Sequence, residues 1–310
     1  MTFSVWISGS NFTQPAEPWG PKMKLTKLKR TIKQFLDRLP IPDEWYVRLL
    51  YFVKLGKPLH LKHPKTLNEK ILWINLKGNI EKYSHLADKY KVRGYVADTA
   101  GSQYLVDLYG VYDSPAEINF DELPEQFVLK TNHGSRTNII CKDKGGLDIS
   151  KARASLDKWM KKDFYKPYRE RIYRNIERKI ICEQFLEGAD GKEPHDYKFF
   201  CFHGKVLFLK IDLDRFSSHK RYFFDRNWVN LPSKYYRDSG KDFPKPDNFM
   251  DMIDVAEKLA GDIPFVRVDV YNVDRKIYFG EMTFTPTAGF GQIRPEGWDC
   301  ALGMYLHLPV

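Results

Sequence analysis

One stretch near the C-terminal end constrains the fold more than any other. It reads Phe265-Val266-Arg267-Val268-Asp269-Val270-Tyr271 and, after a short gap, Ile277-Tyr278-Phe279-Gly280-Glu281-Met282-Thr283-Phe284-Thr285-Pro286. Side chains alternate faces along a strand, so Val266, Val268 and Val270 form one apolar face. Tyr278, Met282 and Phe284 form an apolar face of the second strand. Burying both faces together requires an odd-length turn or a bulge, and it gathers Arg267, Asp269, Glu281 and Thr283 on the other side. Two carboxylates with a hydroxyl and a guanidinium on one sheet face need neutralising. A hard divalent cation does this, because Mg²⁺ takes one or two carboxylates plus substrate phosphates. A solvent-facing hairpin with a cross-strand Arg–carboxylate bridge would account for the same residues.

The composition limits what surrounds this hairpin. At 310 residues the chain predicts one large domain or two modest ones. Apolar residues are 43% and aromatics 15%, enough for a substantial core. No stretch approaches the roughly 18 apolar residues of a membrane span. The first twenty residues lack a basic segment followed by an apolar run, so no secretory signal is expected. The four cysteines, Cys141, Cys182, Cys201 and Cys300, form no C-x-x-C pair and read as reduced thiols of a cytoplasmic protein. The net charge of +10 predicts an anionic partner. The excess is spread along the chain without a basic tail or a nucleic-acid motif, which argues against nucleic acid.

Along the chain, 1–22 hold Pro15, Pro18, Gly20 and Pro21 and read as unstructured. Leu25, Leu28, Ile32, Phe35, Leu36 and Leu39 fall at helical spacing among lysines, predicting a basic amphipathic helix over 24–39 within a segment 23–45. Such a helix suits peripheral contact with an anionic membrane face; docking on its own domain is the plainer alternative. Thr66-Leu67-Asn68-Glu69 is a capping box that starts a helix running through Trp73. A second helix is expected from Ser84 to about Thr99, making 46–125 mostly helical. After Pro124 the pattern turns to strands: Phe127–Thr131, Ile139–Lys142 and Lys179–Leu186, with helices over 150–163 and 248–260. His203-Gly204 marks a hairpin turn between Phe199–Phe202 and Val206–Ile211.

Three further segments carry candidate chemistry. Phe127-Val128-Leu129-Lys130-Thr131-Asn132-His133-Gly134-Ser135-Arg136-Thr137 is a strand ending in a lysine and a small polar loop. Backbone N–H groups of such a loop can meet phosphate oxygens, with Lys130 as a point charge. It is not a P-loop, since the G-x-x-x-x-G-K-[ST] pattern is absent. Ile180-Ile181-Cys182-Glu183-Gln184-Phe185-Leu186-Glu187 is a buried strand leaving through acids, whose free backbone edge suits an adenine. Asp196-Tyr197-Lys198 opens the next hairpin with a second lysine.

The order of these pieces resembles the ATP-grasp fold. Thr66-Leu67-Asn68-Glu69-Lys70, Asp88-Lys89-Tyr90, Phe127–Ser135, Asp196-Tyr197-Lys198-Phe199 and the final hairpin together resemble the TupA-like ATP-grasp amidoligases, over roughly 45–310. The resemblance implies an α+β chain in which two subdomains clamp ATP, 126–190 with the phosphate loop and 191–310 with the metal site, behind a mostly helical N-terminal region. It implies that Lys130 and Lys198 bind ATP phosphates and that His133, Gly134 and Ser135 belong to the loop closing over them. Glu183, Gln184, Phe185 and Leu186 would be the adenine hinge, with Glu187 on the ribose. Asp269 and Glu281 would hold Mg²⁺ with Thr283 as third ligand, where many ATP-grasp enzymes carry Asn. Arg267 would stabilise the transferred phosphoryl group or the acyl-phosphate intermediate. Arg136 and Arg294, each beside a glycine-containing segment, are candidate binders of substrate carboxylates. The implied reaction joins an amino acid to a uronic acid of a bacterial surface polysaccharide or its precursor, using ATP through an acyl phosphate. A sugar kinase on the same fold, a non-enzymatic basic binding module, or a glycosyltransferase using Asp212-Leu213-Asp214 as a metal motif are the rival expectations.

Overall fold

The computed structural model describes residues 31–188, 194–213, 220–231, 243–295 and 297–309. The segment 1–22 and most of the helix expected over 24–39 lie outside these residues; 31–36 are helical. The chain divides into two compact units, Met1–Leu59 and His60–Val310.

In the first unit, helix α1 (Asp43–Leu55) buries Tyr46, Val47, Leu50 and Tyr51 and ends at Gly56, whose φ of 73° suits the left-handed C-cap. The Tyr46 hydroxyl donates to Asp37 Oδ1 at 2.5 Å.

The second unit is built on two antiparallel sheets. The smaller has the order β1-β4-β2-β3, from β1 (Leu108–Tyr112), β2 (Phe127–Thr131), β3 (Asn138–Cys141) and β4 (Ile180–Gln184). The larger has the order β7-β6-β5-β8-β9, from β5 (Asp196–Phe202), β6 (Lys205–Leu213), β7 (Lys220–Asp225), β8 (Phe265–Val273) and β9 (Lys276–Thr283). Each sheet buries one face against a helix. Helix α4 (Ile149–Met160) sets Ala152 and Leu156 against Phe127, Leu129 and Cys182 of the small sheet. Helix α5 (Phe249–Ala260) sets Phe249, Met252, Ile253, Ala256 and Leu259 against Phe199, Leu209, Val266, Val268 and Val270 of the large one. Each large side chain so buried contributes about 1.5–3 kcal/mol.

The final hairpin folds through a bulge. Val268 faces Met282 and Asp269 faces Glu281, but Val270 faces Phe279, so the register shifts by one at Gly280. A Cβ on Gly280 would stand 3.0 Å from the Asp269 carbonyl oxygen, which is why the bulge holds a glycine. The shift turns Phe279 into the core and takes Tyr278 out of the apolar face expected for it, because a one-residue slip flips every later side chain. Sequence reasoning also missed β1 and β7.

The capping box forms as expected: Thr66 accepts from the Glu69 N–H and Glu69 from the Thr66 N–H, opening α2 (Leu67–Lys77). The same motif anchors the C-terminal helix α6 (Trp298–Tyr305). Asn68 donates to both carboxylate oxygens of Asp299 at 2.9 and 3.0 Å, and Lys70 Nζ donates to the carbonyls of Gly303 and Leu306, each at 2.8 Å. Gly303 lies so close to Lys65 and Thr66 that a Cβ there would meet backbone.

The second expected helix is broken. A single turn, Ser84–Ala87, stops at Asp88, whose ψ of 113° is extended, and α3 (Val92–Thr99) starts afterwards. Among the described residues, no helix is long and apolar enough to cross a membrane.

Two variants test the α2–α6 contact. Thr66→Ala is expected to cost about 1 kcal/mol through the lost cap. Gly303→Ala is expected to lower the melting temperature by more, because the clash is with backbone that cannot give way. Thermal denaturation followed by circular dichroism checks both.

Candidate active site

The polar face of the large sheet is a continuous charge lattice. Lys198 Nζ donates to Asp196 Oδ2 at 2.5 Å and Asp269 Oδ2 at 2.6 Å, and all three residues are buried. Arg267 grips Asp269 with two nitrogens, Nε at 2.6 Å and Nη2 at 2.7 Å. The same Nη2 donates to Glu281 Oε1 at 3.0 Å and Thr283 Oγ1 at 2.9 Å. Thr283 Oγ1 in turn donates to Glu281 at 3.0 Å. The structure thus brings Lys198, Arg267, Asp269, Glu281 and Thr283 into one cluster. Further along the face, Lys210 Nζ and Arg221 Nε hold Asp212 at 2.9 and 2.8 Å.

The electrostatics follow from these contacts. Burial opposes charge on Arg267, but Asp269 and Glu281 outweigh it and raise its pKa further. Burial likewise pushes the Glu281 carboxyl up, yet the charges of Lys89, Arg267 and Lys198 bring it down to about 2. Burial, aided by Arg267 and Lys198, pushes Lys210 down to about 8 against the pull of Asp212.

The small sheet presents its own face. Register places Val128, Lys130, Ile181 and Glu183 on the side away from α4. Lys130 Nζ lies 2.5 Å from Glu183 Oε2, and Arg93 Nη1 lies 3.2 Å from Glu183 Oε1. Glu183 is therefore the counter-ion of Lys130 here. Gln184 donates its N–H to the Asp107 carbonyl at 2.9 Å, Phe185 is buried, and Glu187 is exposed at the strand exit.

The loop after β2 is held at its neck by a Thr131–Thr137 hydroxyl contact of 2.7 Å. His133 and Gly134 are buried, while Ser135 and Arg136 are exposed at the tip. Gly134 sits against the Phe164 ring, where any Cβ would overlap it. Burial pushes His133 down to about 4, with Arg178 and Lys89 adding to the effect. Arg294 is exposed between Pro286–Gly289 and α6.

Two cations in the site were not singled out by residue type or spacing. Lys89 Nζ donates to the Gly134 carbonyl at 2.5 Å and lies 3.7 Å from Glu281 Oε2, joining the loop of one sheet to a carboxylate of the other. Arg93 reaches Glu183 from the next turn. The signal available in sequence was the Asp88-Lys89-Tyr90 match alone.

The oxygens of Asp269, Glu281 and Thr283 surround one point, where Arg267 Nη2 sits. An all-oxygen set with two carboxylates fits Mg²⁺, with the remaining ligands left to water and phosphate. Among the described residues, no group of three or more His, Cys, Asp or Glu could hold a metal, so a hydroxyl or substrate must complete any such shell. The rival D-x-D motif fares otherwise. Asp212 is a buried strand residue whose carboxylate is already taken up by Lys210 and Arg221, and Asp214 lies outside the described residues.

A family model described as TupA-like ATPgrasp matches residues 69–307. Among solved structures, the chain is similar to an L-amino acid ligase from Bacillus licheniformis at 12% identity and a TM-score of 0.45, covering 80% of this chain and 56% of that one. It is similar to the ATP-grasp ligase PsnB complexed with its minimal precursor at 12% identity and TM-score 0.40, covering 92% and 73%. It is also similar to the D-alanine–D-alanine ligase of Bacillus anthracis complexed with ATP at 16% identity and TM-score 0.38, covering 64% and 55%. The chain spans about half the length of most of these structures. A comparison with curated proteins gave no match.

The depressed His133 pKa has a consequence for stability. The folded chain keeps the ring neutral down to pH about 4, whereas the unfolded chain protonates it near the ordinary 6.5. The unfolded state thus binds more protons between these values, so the contribution is full above 6.5 and lost as pH falls towards 4. Melting temperatures across pH 4–7 should decline on the acid side, and His133→Phe should flatten that decline.

Proposed function

The chain belongs to the TupA-like ATP-grasp family, and from that premise we propose that it forms an amide between an amino acid and a uronic acid of a bacterial surface polysaccharide or its precursor. The family membership makes it an ATP-grasp protein; in the proposed reading it acts as an ADP-forming carboxylate–amine ligase. The observation that carries the reading is the convergence of Arg267, Asp269, Glu281, Thr283 and Lys198 on one sheet face, tied through Lys89 to the loop that follows Lys130.

In this reading ATP lies between the two sheets. Strand β4 is flanked by β1 and β2, so the free edge expected of it is taken up through Gln184. In this reading the Val128 and Ile181 face meets the adenine, with the backbone of Phe185 and Leu186 just past the strand, and Glu187 takes the ribose. Lys130 and Lys198 bind phosphates, and the backbone of His133, Gly134 and Ser135 covers them. Asp269, Glu281 and Thr283 would hold Mg²⁺, which when bound neutralises the phosphate oxygens. Arg267 then gives up part of its carboxylate contacts and donates to the transferring phosphoryl group. A substrate carboxylate oxygen attacks the γ-phosphorus and the bond to the ADP oxygen breaks, giving an acyl phosphate. A neutral amine attacks the acyl carbon, phosphate leaves with the bonding pair, and the amine loses a proton. Phosphoryl transfer needs positioning and charge neutralisation, which these cations supply without a protein nucleophile. Arg136 and Arg294 would meet substrate carboxylates. The net charge of +10 suits a polyanionic acceptor, and work in the cytoplasm near the inner membrane face suits the basic residues of 24–39.

Chromatographic detection of ADP after incubation with Mg-ATP, amino acids and uronic-acid oligosaccharides, omitting each in turn, tests the proposal. ADP that needs both co-substrates is the expected result. ADP with saccharide alone, together with a stable phosphoproduct, would identify a kinase instead. Asp269→Asn and Glu281→Gln should each reduce turnover about a thousandfold or more while remaining folded. Retained activity in both would sink the assignment of the metal site.

A further inference from the structure

The connection between α4 and β4, residues 161–179, carries eight Lys and Arg against three Asp and Glu, a net +5 out of the chain's +10. Its three acids are committed locally. Asp163 Oδ1 accepts from the N–H groups of Tyr165 and Lys166, each at 2.9 Å. Glu170 Oε1 accepts from Thr285 Oγ1 at 2.6 Å. Glu177 lies 3.3 Å from Lys179 and 3.9 Å from Lys91. Three of the cations are left over. Lys162, Arg174 and Arg178 are exposed and form no ion pair among the described residues. Aromatic rings carry two of them: Lys162 Nζ lies 4.4 Å from the centre of Phe164, and the Arg174 guanidinium 4.8 Å from that of Tyr165. Arg169 faces the same Tyr165 ring at 5.7 Å, and Arg178 gives one nitrogen to the Met160 carbonyl at 2.8 Å. A surface kept only for solubility mixes both signs; this one gathers a single sign on aromatic rings.

The connection is pinned beside the reactive ends of both sheets. Phe164 covers Gly134 and meets the His133 ring edge-on at 5.4 Å, so Lys162 stands next to the 132–137 loop. Phe164 also packs on Tyr173 at 6.4 Å, and the Tyr173 hydroxyl feels the charges of Glu281 and Arg267. The Glu170–Thr285 bond fastens the connection two residues beyond Thr283. Asn75 holds it from α2, donating to the Arg169 carbonyl at 2.8 Å and accepting from the Arg171 N–H at 2.9 Å. The basic, aromatic side of the connection therefore borders the loop and the end of β9, where the charge cluster lies.

We propose that residues 161–179 form the docking surface for an anionic saccharide, a chain of uronic-acid units, whose carboxylates meet Lys162, Arg174 and Arg178. This rests on the ligase reading above and adds to it the place where the acceptor lies. A uronate ring has an apolar C–H face and a carboxylate at its edge. Aromatic rings with cations beside them complement both, and a guanidinium fork takes a carboxylate through two hydrogen bonds. The reaction needs a carboxylate delivered to the γ-phosphorus. A chain of carboxylates held on a face that borders the charge cluster brings one of its own within reach.

Calorimetric titration of the full chain with an oligogalacturonate, with its methyl ester and with Mg-ADP tests this. The acid form should bind more tightly than the uncharged ester, and added salt should weaken it. Lys162→Gln, Arg174→Gln and Arg178→Gln combined should weaken the acid form about tenfold or more and leave the Mg-ADP affinity within about twofold. Should the triple variant fail to melt cooperatively, Lys162→Gln and Arg174→Gln singly carry the comparison, each with a loss of about twofold to fivefold. Equal binding of acid and ester, unchanged affinity in the variants, or a wild-type chain that binds Mg-ADP but no saccharide would each overturn the proposal. Duplex DNA bound as tightly as the oligogalacturonate and lost in the same variants would make the face a general polyanion surface, which also overturns it. A chain that binds the saccharide as expected but no Mg-ADP would instead refute the ATP-grasp reading and leave the docking surface standing.

Discussion

Asp269 and Glu281 stand directly opposite one another on a β-ladder, an arrangement that repels unless a cation lies between them. Arg267 lies between them. One of its nitrogens touches both carboxylates and the Thr283 hydroxyl, and Lys198 closes the lattice from β5. Removing either cation would leave buried negative charge without its partner, a cost of about 3–5 kcal/mol in comparable sites. The cluster is thus a structural requirement of the central strands, whatever it is proposed to bind. The apolar reverse side, Val266, Val268 and Val270 against α5, holds the strands rigid enough to keep these groups in register.

The two sheets divide the work along lines set by burial. Each commits one face to its own helix; the other face is polar on the large sheet and mixed on the small one, where Val128 and Ile181 lie beside Lys130 and Glu183. The small sheet contributes a sparse face with one lysine and its counter-ion, and a loop whose Gly134 lies against the Phe164 ring, which a Cβ there would displace. The large sheet contributes a dense lattice of paired charges. On the proposed reading, a phosphate-bearing ligand between them would replace internal ion pairs with its own contacts, exchanging one set of charge contacts for another instead of burying unpaired charge. Lys89 connects the two faces in the meantime.

The break at Asp88 shows how a local rule yields to tertiary contacts. A helix continuous from Ser84 to Thr99 would satisfy its own backbone but would point Lys89 elsewhere. Breaking it at Asp88 leaves donors to be satisfied, and Asp88 meets two of them itself while also holding Asn132. Places where propensity is overridden and compensated are where function is expected.

Much of the site was legible in the sequence because strand periodicity is strict. Alternation along 265–284 is enough by itself to place Arg267, Asp269, Glu281 and Thr283 on one face and to demand a bulge or an odd-length turn. The capping box at Thr66 and the His203-Gly204 turn are equally local and equally readable. The position of the bulge was not readable, since it depends on Gly280 meeting the Asp269 carbonyl across the ladder, and this displaced Tyr278 from its expected face. The pairing of Glu183 with Lys130 and Arg93, and the reach of Lys89 to Gly134 and Glu281, join residues far apart along the chain. No periodicity encodes such contacts. They exist because two sheets and a broken helix pack together, and only packing decides which of many surface-like lysines becomes a partner in the site.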